Sequence, residues 1–196
     1  MKTIRPALLA GLLTLLATAC HEAHESPETR FGAWVERGHR EEVAAYHAFL
    51  KENGVADALP LHQLLASGRR WKSCGHDEFA IPPRDQWPAM VPTLRLVDAL
   101  KSEGYLQGAV AVSAYRDAVF NACEGGSTRS RHMVNTALDF DSLATGEQDG
   151  LCAWWKIHGK RHGFGLGFYG QDRIHVDTAG HRTWGHDYTG KSSPCR

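Results

Sequence analysis

His132 and Asp139 stand seven residues apart, and Asp172, His175 and Asp177 follow within a single stretch of six. These are the residue types that bind Zn²⁺: a neutral imidazole and a carboxylate both make good ligands. A hydrolytic zinc takes three protein ligands and keeps a fourth position open. On a helix His132 and Asp139 would lie two turns apart. Asn135, Thr136 and the strand-like run after them favour another geometry, with His132 in a loop and Asp139 on the strand it feeds. Both side chains then reach one ion. The chain also carries 12 His and 22 acidic residues in all. Spacing alone therefore leaves ordinary hydrogen-bonded His and Asp as an equal reading. Other candidates read more plainly. His158 and His162 have i, i+4 spacing, but Lys160 and Arg161 between them describe a solvated helix end. His181 and His186 flank the last hairpin, where they either line the cleft or, as the plainer reading, sit in surface turns. The run Gly163-Phe164-Gly165-Leu166-Gly167 lacks the Lys-Ser/Thr ending of a phosphate loop.

The elements that position these residues follow from the hydrophobic pattern. Trp34, Val35, Val43, Tyr46, Phe49 and Leu50 recur at helical spacing and predict a helix over Phe31 to Asn53, stopped by Gly54. A second short helix is expected over Leu59 to Ser67, with Pro60 in its first turn. Four prolines make Trp71 to Pro92 mostly loop. Thr93 to Glu103 reads as a helix, Gly108 to Ser113 as a strand, and Asp117 to Arg131 as irregular. Ala137 to Phe140 is a short strand. Glu147 to His162 is a helix with Leu151, Trp154, Trp155 and Ile157 on its buried side. Arg173 to Asp177 alternates as a strand, and a hairpin returns through Arg182 to Trp184. The order predicts an α+β fold, a small antiparallel sheet flanked by helices.

The chain has 196 residues, 22 basic and 22 acidic, and 42% hydrophobic content. One domain plus a small extension fits that length, and wholesale disorder does not fit the composition. A formal charge of zero argues against a nucleic-acid binder that works through a basic surface. The body of the chain holds no 18-residue apolar run, which excludes a polytopic membrane protein.

The start is an export signal: Lys2 and Arg5, then an apolar run from Ala7 to Leu16, then small residues. Ala17-Thr18-Ala19 fits a signal peptidase site. Leu16-Ala17-Thr18-Ala19-Cys20 also resembles a bacterial lipoprotein box, though Ala17 replaces its usual Leu. Five cysteines leave one unpaired in an oxidising compartment, and acylation of Cys20 would account for it. The lipoprotein reading is preferred. It gives a signal peptide over 1–19, a tether over 20–30, a helical extension over 31–70 and the main domain over 71–196. The four other cysteines allow three pairings.

The wider wording of both clusters carries a resemblance. Gly125 to Asp139, with Ser130, His132, Asn135, Ala137 and Asp139 in register, resembles the SxHxxGxAxD signature of the zinc D-Ala-D-Ala carboxypeptidases. That family shares a superfamily with lysostaphin-type peptidases and the hedgehog domain. Gly163 to Tyr169, His175-Val176-Asp177 and Arg182 to Gly185 resemble its C-terminal strand and hairpin. The resemblance runs from about Cys74 to Cys195. Asn135 stands where the signature has Gly, and Asn is the next best residue if that position needs a positive φ.

The resemblance implies a hedgehog/D-Ala-D-Ala-peptidase-like fold and Zn²⁺ held by His132, Asp139 and His175. It implies Asp172 as the catalytic acid–base group and Arg116 as a contact to substrate. It also suggests the disulfides Cys74–Cys123 and Cys152–Cys195. Asp177, on the face of His175 by strand periodicity, is the rival base or a support of that ligand. Ser130 either fixes His132 by a hydrogen bond or is an ordinary loop hydroxyl. Trp184 is a groove wall or a core residue. The expected activity is hydrolysis of D-Ala-D-Ala-type bonds in peptidoglycan stem peptides, as carboxypeptidase or endopeptidase. The expected protein is an exported, periplasmic or cell-envelope monomer, held to a membrane only by its lipid and binding no nucleic acid. The competing reading is a non-catalytic zinc-binding or wall-binding lipoprotein on the same scaffold.

Overall fold

A computed structural model describes residues 25–196. The leader and Cys20 lie outside the described residues. No helix among the described residues is long and apolar enough to cross a membrane.

The helices follow the predicted pattern with several corrections. Ser26 caps α1 (Pro27–Trp34), accepting a hydrogen bond from the Thr29 amide at 3.1 Å. The helix takes in Pro27 to Arg30, which the tether was expected to hold. The single helix expected over Phe31 to Asn53 is broken: Val35–His39 separates α1 from α2 (Arg40–Glu52), and Gly38 there has a φ of 113°. An α-helix cannot continue through that conformation. After the one-turn α3 (Leu61–Leu64), α4 spans Trp87–Ser102 and so begins six residues before the expected start. Pro88 sits in its first turn, where a missing N–H costs nothing. Pro92 lies inside it. Burial of Trp87, Met90, Val91, Leu94, Leu96, Val97 and Leu100 outweighs the lost hydrogen bond.

The short α5 (Ala118–Cys123) interrupts the stretch expected to be irregular, capped by Asp117 accepting from the Phe120 amide at 2.8 Å. The helix α6 keeps its predicted bounds, Glu147–His162, and ends at Gly163 in the left-handed conformation. Leu151 and Trp154 are buried, but Ile157 is 73% exposed, contrary to its expected place.

Five strands form one sheet: β1 (Val110–Ser113), β2 (Ala137–Asp141), β3 (Gly165–Phe168), β4 (Ile174–Asp177) and β5 (Arg182–Trp184). Their order is β1-β2-β4-β3-β5, all antiparallel except the β3–β5 pair. The architecture is α+β, as expected. The hairpin is not. The glycine-rich segment supplies β3, which turns back into β4, and β5 lies parallel on the far side of β3. Helices and sheet share one hydrophobic core, from Trp34, Tyr46 and Leu50 through Leu94 and Leu138 to Val176. Disulfides join Cys74 to Cys123 and Cys152 to Cys195, the pairings the resemblance suggested.

Candidate metal centre and its cleft

The sheet register lines up the site. Ser113 lies opposite Asp139, Asp139 opposite His175, His175 opposite Gly167, and Gly167 opposite Trp184. Directly paired residues project to the same face, so one rung across all five strands presents these side chains together. His132 reaches the rung from a 3-10 turn, Arg131–Val134. Ser130 caps that turn, its Oγ accepting from the His132 amide at 3.3 Å. It therefore fixes the backbone of His132 rather than its ring. Asn135 ends the turn at a φ of 52°, the positive value at which Asn best replaces Gly. Its Nδ2 donates to the Gln86 carbonyl at 3.0 Å.

The donor atoms suit a cation. His132 donates from Nδ1 to the Ala114 carbonyl at 2.7 Å, which leaves Nε2 as the unprotonated nitrogen. That Nε2 is buried without a hydrogen-bond partner, 3.3 Å from Asp139 Oδ1. A bare imidazole nitrogen facing a carboxylate has no favourable use for its lone pair except a cation or a proton. His175 donates from Nε2 to Asp177 Oδ2 at 2.9 Å and places Nδ1 2.9 Å from Asp139 Oδ1. The three residues offer donor atoms that lie within 4.8 Å of one another. Two nitrogens and a carboxylate oxygen, all buried, match the donor set of a hydrolytic zinc.

Electrostatics prepare the carboxylate. Burial alone would raise the pKa of Asp139, but the imidazoles of His132 and His175 outweigh it and hold the group well below the usual carboxylate range. Its other oxygen, Oδ2, accepts from Arg116 at 2.9 Å and lies 3.6 Å from an Arg69 nitrogen. Burial lowers the pKa of His132, which favours its neutral, ligand form. Burial also opposes a charge on His175, but Asp139 and Asp177 outweigh it and raise its pKa.

The cluster lies in a cleft of about 790 Å³. Tyr169, Trp184 and Tyr188 line it along with several arginines. The Trp184 ring centre is 5.2 Å from that of His175, so this residue walls the cleft rather than filling the core. A family model described as Peptidase M15 matches residues 69–177, a span that contains the whole His–Asp–His cluster. The chain belongs to the M15 peptidases. No curated protein and no solved structure matches it. M15 peptidases are zinc-dependent metallopeptidases, and this M15 chain has a buried group able to hold such an ion.

Not every residue expected at the site of an M15 enzyme is there. Asp172 is exposed and is not among the cleft-lining residues, because β4 begins only at Ile174. It belongs to the β3–β4 turn, where its carbonyl accepts from the Leu143 amide at 3.1 Å. Asp177 is fully buried behind His175, where it also accepts from Arg182 at 2.9 and 2.5 Å. Its position is that of a support for the imidazole. Arg116 does line the cleft, but it is buried and bonded to Ser113 Oγ and to Asp139. Sequence reasoning missed Arg69, which donates from Nε to both Asp141 carboxylate oxygens at 3.1 Å. It lies just before the region of resemblance, and no local spacing points to a partner 72 residues away. His158 and His162 both pack on the Trp154 ring, and His181 stacks on Trp155.

Proposed function

We propose that this M15 metallopeptidase hydrolyses D-Ala-D-Ala-type peptide bonds in peptidoglycan stem peptides, as a D,D-carboxypeptidase or D,D-endopeptidase, with zinc held by His132, Asp139 and His175. The observation that carries the reading is the bare, buried Nε2 of His132, turned toward Asp139 beside His175 inside a cleft. When bound, the ion supplies Lewis acidity that polarises the scissile carbonyl and acidifies water. The chain's own residues do the rest. Arg116 and Arg69 occupy Asp139 Oδ2 and leave Oδ1 for the metal. Asp177 takes the Nε2 proton of His175 in a hydrogen bond, which fixes the tautomer that presents Nδ1. Burial, reinforced by the charge of Asp139, raises the pKa of Tyr169. Its phenol stays neutral and can donate a hydrogen bond to oxygen in the cleft.

The competing reading, a non-catalytic zinc-binding or wall-binding protein, has one observation in its favour. Among the described residues only Asp139 and Glu124 bring carboxylates to the cleft, and Asp172 does not. Digestion of purified muropeptides, with products identified by mass spectrometry, separates the two. Loss of terminal D-Ala identifies a carboxypeptidase and split dimers an endopeptidase. Unchanged muropeptides overturn the hydrolase.

The two disulfides suit an oxidising, extracytoplasmic compartment. Lipid anchoring at Cys20 completes the proposal. Cys20→Ser should move the protein from the membrane to the soluble fraction, and an unacylated wild-type N-terminus by mass spectrometry would contradict it.

A further inference from the structure

Five arginines line the cleft: Arg69, Arg116, Arg129, Arg131 and Arg182. Three are already engaged with carboxylates of the chain. Arg69 holds Asp141, Arg116 holds Asp139, and Arg182 holds Asp177. Arg129 and Arg131 differ. Both are exposed, and among the described residues neither guanidinium has an acidic partner or a hydrogen bond. They flank Ser130 in the stretch that leads into His132, and both line the cleft that holds the His–Asp–His cluster.

Their backbone is held while their side chains are free. Ser127 Oγ accepts from the Arg129 amide at 3.1 Å, and Asn121 Nδ2 donates to the Ser127 carbonyl at 2.9 Å. The Thr136 amide donates to the Arg131 carbonyl at 3.1 Å, and the Thr136 hydroxyl does so at 3.2 Å. Behind this loop the Cys74–Cys123 disulfide ties down α5, which carries Asn121. Gly126 has no room for a side chain, since a Cβ there would meet Asn121 Oδ1 at 2.2 Å. A loop held in this way, with two unpaired arginines lining the cleft, is suited to a carboxylate, which guanidinium groups bind through charge-assisted hydrogen bonds.

Arg116 cannot easily serve that purpose. To reach a substrate carboxylate it would have to leave Asp139, the residue that needs it. Stripping a partner from a buried carboxylate is costly.

We propose that Arg129 and Arg131 form an anion subsite that recognises a free carboxylate on the carbon next to the scissile nitrogen. The inference rests on the proposed peptidase reading. It names the class of substrate, peptides whose leaving amine carries that carboxylate.

The test is equilibrium binding to the zinc-loaded full chain, followed by calorimetry. The ligands are two uncleavable analogues of an acyl-D-Ala-D-Ala peptide in which a ketomethylene group replaces the scissile amide. One ends in a carboxylate and the other in a carboxamide. The wild type should bind the carboxylate roughly 10- to 100-fold more tightly, the usual worth of hydrogen bonds to a charged group. R129Q/R131Q should lose that preference, with the carboxamide bound as before. The conservative R129K/R131K should keep much of it, and added salt should reduce it in the wild type. Equal wild-type affinity for the two ligands would overturn the subsite, as would full preference in R129Q/R131Q. A wild type that discriminates between these analogues yet leaves the parent peptide uncut keeps the subsite and removes the peptidase reading.

Discussion

Asp172 and Asp177 lie five residues apart, yet the start of β4 at Ile174 gives them different surroundings. The turn leaves Asp172 in solvent, while the strand carries Asp177 to the back of the His175 ring. Asp177→Asn should therefore cost roughly 10- to 100-fold in zinc affinity, the usual loss when a ligand's supporting partner goes. Asp172→Asn should leave zinc affinity and hydrolysis close to wild type. Competition against a chelator, with parallel rate measurements, checks both. A large loss of rate in Asp172→Asn with zinc retained would mean that the turn moves to bring that carboxylate into the cleft. His132, Asp139 and His175 were legible because their residue types and the wording around them were distinctive. Arg69 was not, because its role depends on a fold contact with Asp141. The engagement of Arg116 with Asp139 was equally invisible, since sequence does not show which side chain reaches an arginine first.

The glycines of β3 show how an element builds the site. Gly165 and Gly167 share one face of the strand. A Cβ on Gly165 would meet Arg182 and Asp177 at 2.6 Å, and one on Gly167 would meet the Trp184 ring at 2.3 Å. Bare backbone at these positions lets two side chains of β5 lie across β3, one buttressing Asp177 and the other walling the cleft. Gly167→Ala should displace Trp184 and destabilise the chain by about 1–3 kcal/mol, as overpacking does. A lower melting temperature and altered tryptophan fluorescence would report it; an unchanged melt would contradict this packing. The same glycines hid the strand, because their β-propensity is low and their space-making role needs a neighbour distant in sequence. The α6 bounds were legible from apolar spacing and a terminal glycine. The early start of α4 was not, because its prolines read as loop until the buried face of the helix is known.

Across the molecule, one core and two disulfides hold a buried charge network in place. Its balance predicts how the metal-free chain responds to pH. Burial works against the Asp177 carboxylate, but hydrogen bonds from His175 and Arg182 outweigh it and lower its pKa. A carboxyl lowered in this way contributes stability that is present above about pH 3.9, its unfolded value, and lost as pH falls through the folded one. His175 is raised, so its contribution is full below about pH 6.5 and lost as pH rises through its folded value. The stability difference between wild type and Asp177→Asn, both stripped of metal, should peak between about pH 4 and 6.5 and shrink on either side. A difference independent of pH would show that the pair is not charged in the folded state.

Zinc titration decides whether His132, Asp139 and His175 make a hydrolytic centre. The metal-stripped chain is titrated with Zn²⁺ while D-Ala release or dimer cleavage is followed. Activity should be absent at the start and rise to a plateau at one equivalent, and His132→Ala should bind little zinc and remain inactive throughout. Full activity without metal, or full zinc content in His132→Ala by elemental analysis, would contradict the account.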